Sequence, residues 1–127
     1  MNIEELNKLS YAAIGCAYSV HSSLGPGLLE SVYEHCLAYE LTKSGRTVQS
    51  QLALPLTYKS VKLDIGYRLD ILVNDELIIE VKAVDEISDV HKAQLLTYLR
   101  LTERHLGLIL NFNVANMQKG IHRIIRQ

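Results

Sequence analysis

The sequence predicts an α/β fold in which two helices precede a sheet. Two observations support this prediction: apolar residues recur at helical spacing as far as residue 44, and β-branched, apolar segments with short polar turns begin at residue 47. A third helical pattern then separates these segments from a further buried strand. The chain has 127 residues, of which 48% are hydrophobic, which suits one compact domain with its own core. We therefore expect residues 1–127 to form a single domain.

The first two predicted helices are separated by a Gly-Pro-Gly sequence. Residues 3–24 carry apolar side chains in helical order, and the break at residues 25–27 interrupts the pattern. A second helix is predicted over residues 28–44, with one broad apolar stripe and Gly45 in the position of a C-terminal stop.

The character of the chain changes after residue 47. Residues 48–58, 61–73 and 77–84 are rich in β-branched and apolar side chains and predict three strands. Ser88 and Asp89 can then cap a third helix. The remaining predicted elements are an apolar helix stripe through Ala93, Leu96 and Leu99, a buried strand over residues 107–112, and a short strand or helix over residues 120–126.

The charge balance limits how the protein can bind nucleic acid. A net charge of −1 argues against coating by bulk electrostatics, so any contact must be local. The clearest basic cluster, which could equally be a solvated face, comprises Lys119, His122, Arg123 and Arg126.

Location and cysteine chemistry are also constrained by the sequence. The N-terminus is acidic and lacks an apolar run, and no stretch approaches a membrane span, so we expect a cytoplasmic protein with no membrane partner. Cys16 and Cys36 lack the spacing of a zinc module and are read as small apolar residues.

Charged residues with catalytic potential lie on the second and third predicted strands. Because side chains alternate between the faces of a strand, Asp70 shares a face with Arg68, and Glu80 shares a face with Lys82. A hairpin with a three-residue loop at residues 74–76 places Asp70 opposite Glu80. A two-residue loop would shift the pairing by one and set carboxylates against aliphatic side chains, so the three-residue loop is preferred.

This register brings together two carboxylates that repel one another unless a cation lies between them. The opposite face would pair Leu69 with Val81 in an apolar layer. A few oxygen ligands, with the remaining positions left to water and phosphate, suit Mg²⁺ better than Zn²⁺. Lys82 would orient or deprotonate the attacking water, or stabilise charge on the phosphorus.

The alternative interpretation is a set of exposed salt bridges on the wet side of the sheet. Leu72 and Ile78 flank the charges on the same face, where a helix is expected to pack. Half-buried charges are therefore favoured over freely solvated ones.

Beyond these physical arguments, the chain resembles the small GxxExxY family of the PD-(D/E)XK nuclease superfamily. Asp70 followed by Glu80-Val81-Lys82 is similar to the superfamily signature, with Leu69 in place of the proline. The other matching phrases are Gly27-Leu-Leu-Glu30-Ser-Val-Tyr33, Gly66-Tyr-Arg-Leu-Asp70, Gln94-Leu-Leu-Thr-Tyr98 and Gly107-Leu-Ile-Leu-Asn-Phe-Asn113.

The resemblance implies a restriction-endonuclease-like α/β/α sandwich with a mixed central sheet and a Mg²⁺ site that Mn²⁺ can also occupy. Asp70, Glu80 and the carbonyl of Val81 would bind the metal, and Lys82 would serve the water. Glu30 resembles a helix carboxylate that supplies a further ligand. In the first turn of a helix it also has an ordinary capping role.

Further candidates lie on the third helix and near the two motifs. In RecB-type members the equivalents of Gln94 and Tyr98 line the active site, and His91 falls on the same helical face. Their other interpretation is a core aromatic and a backbone cap. Tyr33 could fix Glu30 or contact substrate, although packing is the commoner role. Arg68 is a candidate phosphate contact.

The predicted function is metal-dependent hydrolysis of phosphodiester bonds in nucleic acid, with DNA favoured. The alternative is a catalytically weak or inactive nuclease-fold module that binds nucleic acid or protein. A carboxylate-pair hydrolase acting on sugars fits poorly, because Lys82 lies beside Glu80. A homodimer would extend the reach of so small a domain.

Overall fold

The computed structural model describes residues 2–64 and 66–127 and shows a mixed α/β fold. Helices α1 (Ile3–Leu24) and α2 (Glu30–Lys43) precede the strands, and α3 (Asp89–Leu101) follows the first five of them. The strands are β1 (Val48–Ala53), β2 (Leu56–Tyr58), β3 (Val61–Leu63), β4 (Arg68–Val73), β5 (Leu77–Lys82), β6 (Leu106–Asn111) and β7 (Ile121–Ile125). A short 3₁₀ helix, Met117–Gly120, leads into β7.

The central sheet has five strands in the order β1-β4-β5-β6-β7. Strand β5 pairs with β6 in parallel, and the other neighbours are antiparallel. The sheet is therefore mixed, as a restriction-endonuclease-like fold requires. Within the described ranges, no helix has both the length and the apolar character needed to cross a membrane.

Two apolar cores, one on each face, make the sheet the middle layer of a sandwich. Buried side chains of α1 and α2, among them Ala13 and Leu37, pack with Ile71 and Ile79 on one face. Leu95, Leu99 and Tyr98 of α3 pack with Leu72 and Ile78 on the other. Because alternate residues of β4 and β5 face opposite layers, both strands are apolar nearly throughout.

Two predicted strands are each divided in the structure. Residues 48–58 form β1 and β2 with Pro55 between them, where proline cannot donate a ladder hydrogen bond. Residues 61–73 form β3 and β4; Gly66, which lies between them, has a φ of 84°. Residue 65 of this predicted strand lies outside the described residues. Strands β2 and β3 form a separate two-stranded hairpin.

The predicted apolar stripe of the third helix was correct at Leu99 but wrong at Ala93 and Leu96, which are exposed. Leu96 is 40% exposed, whereas Leu95, Tyr98 and Leu99 are buried. Adjacent leucines at 95 and 96 permit two stripes at helical spacing, and contact with Leu72 and Ile78 decides between them. The final element, left open between helix and strand, is strand β7.

Candidate active site

The β4–β5 hairpin has the register that the three-residue loop predicts. Val73 pairs with Leu77, and Ile71 pairs with Ile79. The pair of Ile71 with Ile79 is the last one, and Asp70, the next residue toward the start of β4, has no backbone partner on β5. The two strands therefore part where the charged residues begin.

Strand β4 is also distorted on its other side. The β1–β4 ladder continues before and after Gln51 and Asp70 but skips these two residues, and Gln51 has a φ of 53°. Leu69 packs in the same cluster as Leu72 on the α3 face. Regular alternation would place residues three apart on opposite faces, so the predicted pairing of Leu69 with Val81 in the other layer was wrong. The irregular backbone at Asp70 is the reason.

Two side-chain hydrogen bonds replace the backbone ladder at this point. The N–H of Asp70 donates to Glu80 Oε2 at 3.0 Å, and the N–H of Val81 donates to Asp70 Oδ2 at 2.8 Å. Each carboxylate is thus held by the backbone of the opposite strand. The structure therefore brings Asp70 and Glu80 together, as the predicted register requires.

Burial raises the pKa of both carboxyl groups. Burial, reinforced by the negative charge of Asp70, raises the pKa of Glu80 to about 8. Burial also raises the pKa of Asp70, although its hydrogen bond from Val81 opposes the shift. Since Glu80 is only 5% exposed, water does little to screen this repulsion. The pair consequently favours a proton or a cation between its oxygens.

The carbonyl of Val81 faces the same gap. In a β-strand the N–H and C=O of one residue point to the same neighbouring strand. The N–H of Val81 bonds Asp70 on β4, whereas the next carbonyl, that of Lys82, accepts from Phe112 N at 2.9 Å. The Val81 oxygen is therefore directed toward β4, beside the two carboxylates.

Lys82 supplies positive charge to the pair without a direct ion pair. It ends β5 and is partly exposed. Its charge acts to lower the pKa of both Asp70 and Glu80. Among the described residues, no salt bridge within 4.0 Å involves this ammonium group. Within this part of the chain the ammonium group is thus not held by an ion pair, which leaves its donors for a ligand.

Contacts on two sides fix the chain just beyond Lys82. Glu30 Oε2 accepts from the N–H of Ala83 at 3.0 Å. Asn111, a buried residue of β6, bonds both backbone groups of Val84, accepting at 3.1 Å and donating at 2.9 Å. Glu30 lies in the first turn of α2, as predicted, but sequence analysis did not identify Asn111. These contacts position Lys82.

Two further residues near Asp70 were also missed. Gln51 Nε2 donates to both carboxylate oxygens of Glu34, at 2.9 and 3.0 Å, and lies 3.5 Å from Asp70 Oδ1. The charges of Glu34 and Glu30 both raise the pKa of Asp70. Because Glu34 follows Glu30 by four residues, helical spacing could have identified it. Gln51 carries no comparable signal, since it depends on the pairing of β1 with β4.

Tyr33 has the packing role that sequence analysis named as the commoner one. Its side chain is fully buried, and its ring stacks on Phe112 with centroids 4.7 Å apart. The hydroxyl donates to the carbonyl of Gly25 at 2.6 Å and accepts from Leu28 N at 3.1 Å. The prediction of a substrate contact is therefore corrected: Tyr33 anchors the Gly25–Leu28 loop, which leads to Glu30.

Replacing Tyr33 by phenylalanine should destabilise the fold by about 1–3 kcal/mol, because two loop groups lose their hydrogen-bond partner while the ring stack remains. Urea unfolding of Tyr33→Phe measures the change. Tyr18, 40% exposed on α1, gives the matched control Tyr18→Phe. A Tyr33→Phe effect below about 0.5 kcal/mol, the range of ordinary surface substitutions, would contradict this role.

Gln94 and Tyr98 lie together on α3. Both line a cavity of about 220 Å³, with Tyr67 as another wall. Burial and the negative charges of Glu80 and Asp70 raise the pKa of Tyr98. Tyr98 is therefore close enough to feel the charges of both carboxylates, although it is also a core aromatic, and the site roles of Gln94 and Tyr98 stay predictions.

The two remaining candidates, Arg68 and His91, differ in how far their side chains are already hydrogen-bonded. Arg68 is exposed, and Nη1 donates to the carbonyl of Gln51 at 3.2 Å, so its other donors can reach a phosphate. His91 completes a capping box at the start of α3. Its ring Nδ1 accepts from the backbone N–H of Ser88 at 2.9 Å, and the backbone N–H of His91 donates to Ser88 Oγ. That ring nitrogen is committed to the helix end.

The C-terminal basic cluster is partly occupied by structural contacts. Arg123 donates to the side chain of Asn7, and Arg126 Nε donates to the carbonyl of Arg104 at 2.6 Å. These contacts favour the interpretation of a structural surface over that of a phosphate-binding patch.

The donor atoms of the site fit a hard divalent cation. Within residues 2–64 and 66–127, no three His, Cys, Asp or Glu side chains form a ready-made metal cluster. Asp70, Glu80 and the Val81 carbonyl offer oxygen atoms alone, and a cation there would relieve the repulsion of the buried carboxylates. Mg²⁺ suits such a set, since it is commonly held by one or two carboxylates and retains several waters.

Comparison with known proteins agrees with this geometry. No curated protein and no solved structure gives a significant match. A family model described as the PD-(D/E)XK nuclease superfamily matches residues 7–124, which include every element except the first residues of α1 and the last of β7. The chain therefore belongs to the PD-(D/E)XK nuclease superfamily.

Proposed function

We propose that this chain is a Mg²⁺-dependent nuclease of the GxxExxY type, folded as one domain, which hydrolyses phosphodiester bonds in DNA. The observation that carries the proposal is the convergence of Asp70 and Glu80 in the gap between parted strands, with Lys82 alongside. RNA is the alternative substrate. The cytoplasm is the proposed location, on the sequence grounds given above.

Each residue of the site has a proposed task. Asp70, Glu80 and the Val81 carbonyl would hold the cation, and Glu30 would contribute a further carboxylate. When bound, Mg²⁺ supplies polarisation of a phosphoryl oxygen and lowers the pKa of an attacking water. Before it binds, Glu80 must release the proton that its raised pKa retains near neutral pH.

Lys82 would act on the water and on the phosphate. Its ammonium group can orient the attacking water by hydrogen bonding and can stabilise the negative charge that grows on the phosphoryl oxygens. Arg68 would bind a neighbouring phosphate of the same strand. Glu30 and Asn111 would keep Lys82 in position through the backbone at residues 83 and 84.

The test compares Lys82→Met with Lys43→Met. Lys43 ends α2, about 20 Å along the helix from Glu30, so its replacement leaves the site intact. Single- and double-stranded DNA and RNA are incubated with each purified protein and Mg²⁺ or Mn²⁺. We expect Lys82→Met to lose activity by about 10²–10⁴-fold and Lys43→Met to retain it.

Equal cleavage by wild type and Lys82→Met would reject the assignment of Lys82. Calorimetric titration with Mg²⁺ distinguishes the alternative function. Metal binding without turnover of any of the four nucleic acids would replace the nuclease proposal with that of a binding module.

A further inference from the structure

The β2–β3 hairpin and the start of β4 enclose a pocket of about 550 Å³. Leu54, Pro55, Leu56 and Leu63 supply apolar walls, and Lys62 and Arg68 add positive charge. Asp64 contributes one negative charge. The size and the mixture of apolar walls with a few polar groups are those of a site for a small organic group.

The pocket adjoins a second cavity at α3 and lies close to Asp70 along the chain. It shares Leu56 and Tyr67 with the smaller cavity that Gln94 and Tyr98 line. Arg68 precedes Asp70 by two residues, which is about 7 Å along a strand. A polymer whose scissile phosphate lies at Asp70 can therefore place its neighbouring nucleotide in the pocket.

Tyr67 provides an exposed aromatic ring in the wall of this pocket. Its side chain is 43% exposed, although its ring meets Tyr98 at 64° with centroids 6.5 Å apart. The buried Tyr98 thus holds one side of the ring while the rest faces solvent. Aromatic rings held in this way, next to cationic side chains, stack unpaired bases in single-strand-binding proteins.

We propose that this pocket binds an unpaired nucleotide, with its base against Tyr67 and its phosphate on Arg68 or Lys62, so that the site acts on single-stranded nucleic acid or on a single-stranded end. The position of the scissile phosphate rests on the proposed nuclease function. A base inside a duplex cannot enter without losing its stacking and pairing, which costs a few kcal/mol.

Binding is measured by fluorescence anisotropy in EDTA, so that no cleavage is needed or possible. The ligands are a single-stranded oligonucleotide of about 12 nucleotides, the blunt duplex, and a duplex with an overhang. The proteins are wild type, Tyr67→Leu and the matched control Tyr18→Leu, which removes a ring of similar exposure, 40%, from α1.

We expect the single strand and the overhang to bind about tenfold or more tightly than the blunt duplex. Tyr67→Leu should lower affinity for both by about 5- to 100-fold, whereas Tyr18→Leu should not change it. Because the phosphate is placed on Arg68 or Lys62, at least one of Arg68→Gln and Lys62→Gln should reduce the slope of log affinity against log salt by about 0.7, the value for one phosphate contact on a single strand; an unchanged slope in both would contradict the phosphate contact.

Equal affinity of wild type and Tyr67→Leu for the single strand, or equal binding of blunt duplex and single strand, would overturn the inference. Should Tyr67→Leu fail to fold, photocrosslinking of an iodouracil-labelled strand to wild type replaces it, and a crosslink that maps away from residues 54–68 would also overturn it. Because binding is measured without metal, a failure here leaves the Lys82 test intact, and loss of the nuclease proposal leaves this result intact.

Discussion

Glu80→Gln is expected to abolish metal-dependent cleavage and, at the same time, to stabilise the metal-free protein. The amide keeps the shape of the side chain but removes the negative charge that would hold the cation. Metal-ion stabilisation of a transition state is worth several kcal/mol, and each 1.36 kcal/mol is tenfold in rate. We therefore expect a loss of about 10³-fold or more.

The gain in stability has a separate cause. In the absence of metal, Glu80 lies beside Asp70 with only 5% of its surface exposed, and the repulsion of the pair destabilises the fold once both are ionised. The amide oxygen can still accept from Asp70 N, so the 3.0 Å hydrogen bond can persist. Urea unfolding at pH 8 in EDTA should show a higher free energy of unfolding for Glu80→Gln than for wild type.

Glu5→Gln provides the control, because Glu5 is exposed in the first turn of α1. It should leave cleavage unchanged and alter stability by less than about 0.5 kcal/mol. The proposal for Glu80 would be contradicted by a Glu80→Gln protein that cleaves at the wild-type rate in Mg²⁺, or by one that is less stable than wild type at pH 8 in EDTA.

The stability of the metal-free protein should fall as pH rises toward 8. The pKa of Glu80 is raised from 4.5 to about 8 in the folded state, so the folded protein binds more protons than the unfolded chain between these values. Stability from this group is fully present below pH 4.5 and is lost as pH rises to about 8. The total loss is on the order of 5 kcal/mol.

One other group opposes this trend at lower pH. Burial lowers the pKa of His122 in the folded protein, so its contribution to stability is lost as pH falls below 6.5. The interval from pH 6.5 to 8 therefore isolates the carboxyl pair, since the raised pKa of Asp70 acts in the same direction as that of Glu80. Urea unfolding in EDTA across this interval measures the slope.

Two comparisons test the assignment of this slope. Glu80→Gln should be less sensitive to pH than wild type over the same interval, because only Asp70 of the pair can still titrate. Saturating Mg²⁺ should stabilise wild type more at pH 8 than at pH 6.5, because the cation competes with the bound proton. Wild-type stability that rises from pH 6.5 to 8 in EDTA would show that Glu80 is already ionised in the fold.

Local patterns in the sequence were sufficient to predict the centre of the site. Alternation along two strands and a three-residue loop predicted the hairpin register, which the pairing of Val73 with Leu77 confirms. The helix cap at Ser88 was equally local. In both cases the determining residues lie within a few positions of one another, so no knowledge of the tertiary structure was needed.

The parts that could not be predicted depend on contacts between distant segments. Gln51 reaches Glu34 and Asp70 only because β1 lies beside β4, and Asn111 reaches Val84 only because β6 lies beside β5. The side on which Leu69 packs follows from a backbone irregularity that no residue type at position 69 or 70 signals. The α3 stripe was ambiguous for a simpler reason, since two leucines are adjacent.

The parting of β4 from β5 lies close to the proposed nucleotide pocket, which Tyr67 and Arg68 line. Arg68 and Leu69 remain paired with Ala53 and Leu52 of β1 after β4 has left β5. The end of β1 and the start of β4 therefore stay joined to each other, with the β2–β3 hairpin inserted between them, where β4 is no longer paired with β5. One interruption of strand pairing thus lies beside both the proposed cation site and the proposed nucleotide pocket, so a substitution that alters the backbone at Asp70 is expected to affect the two together.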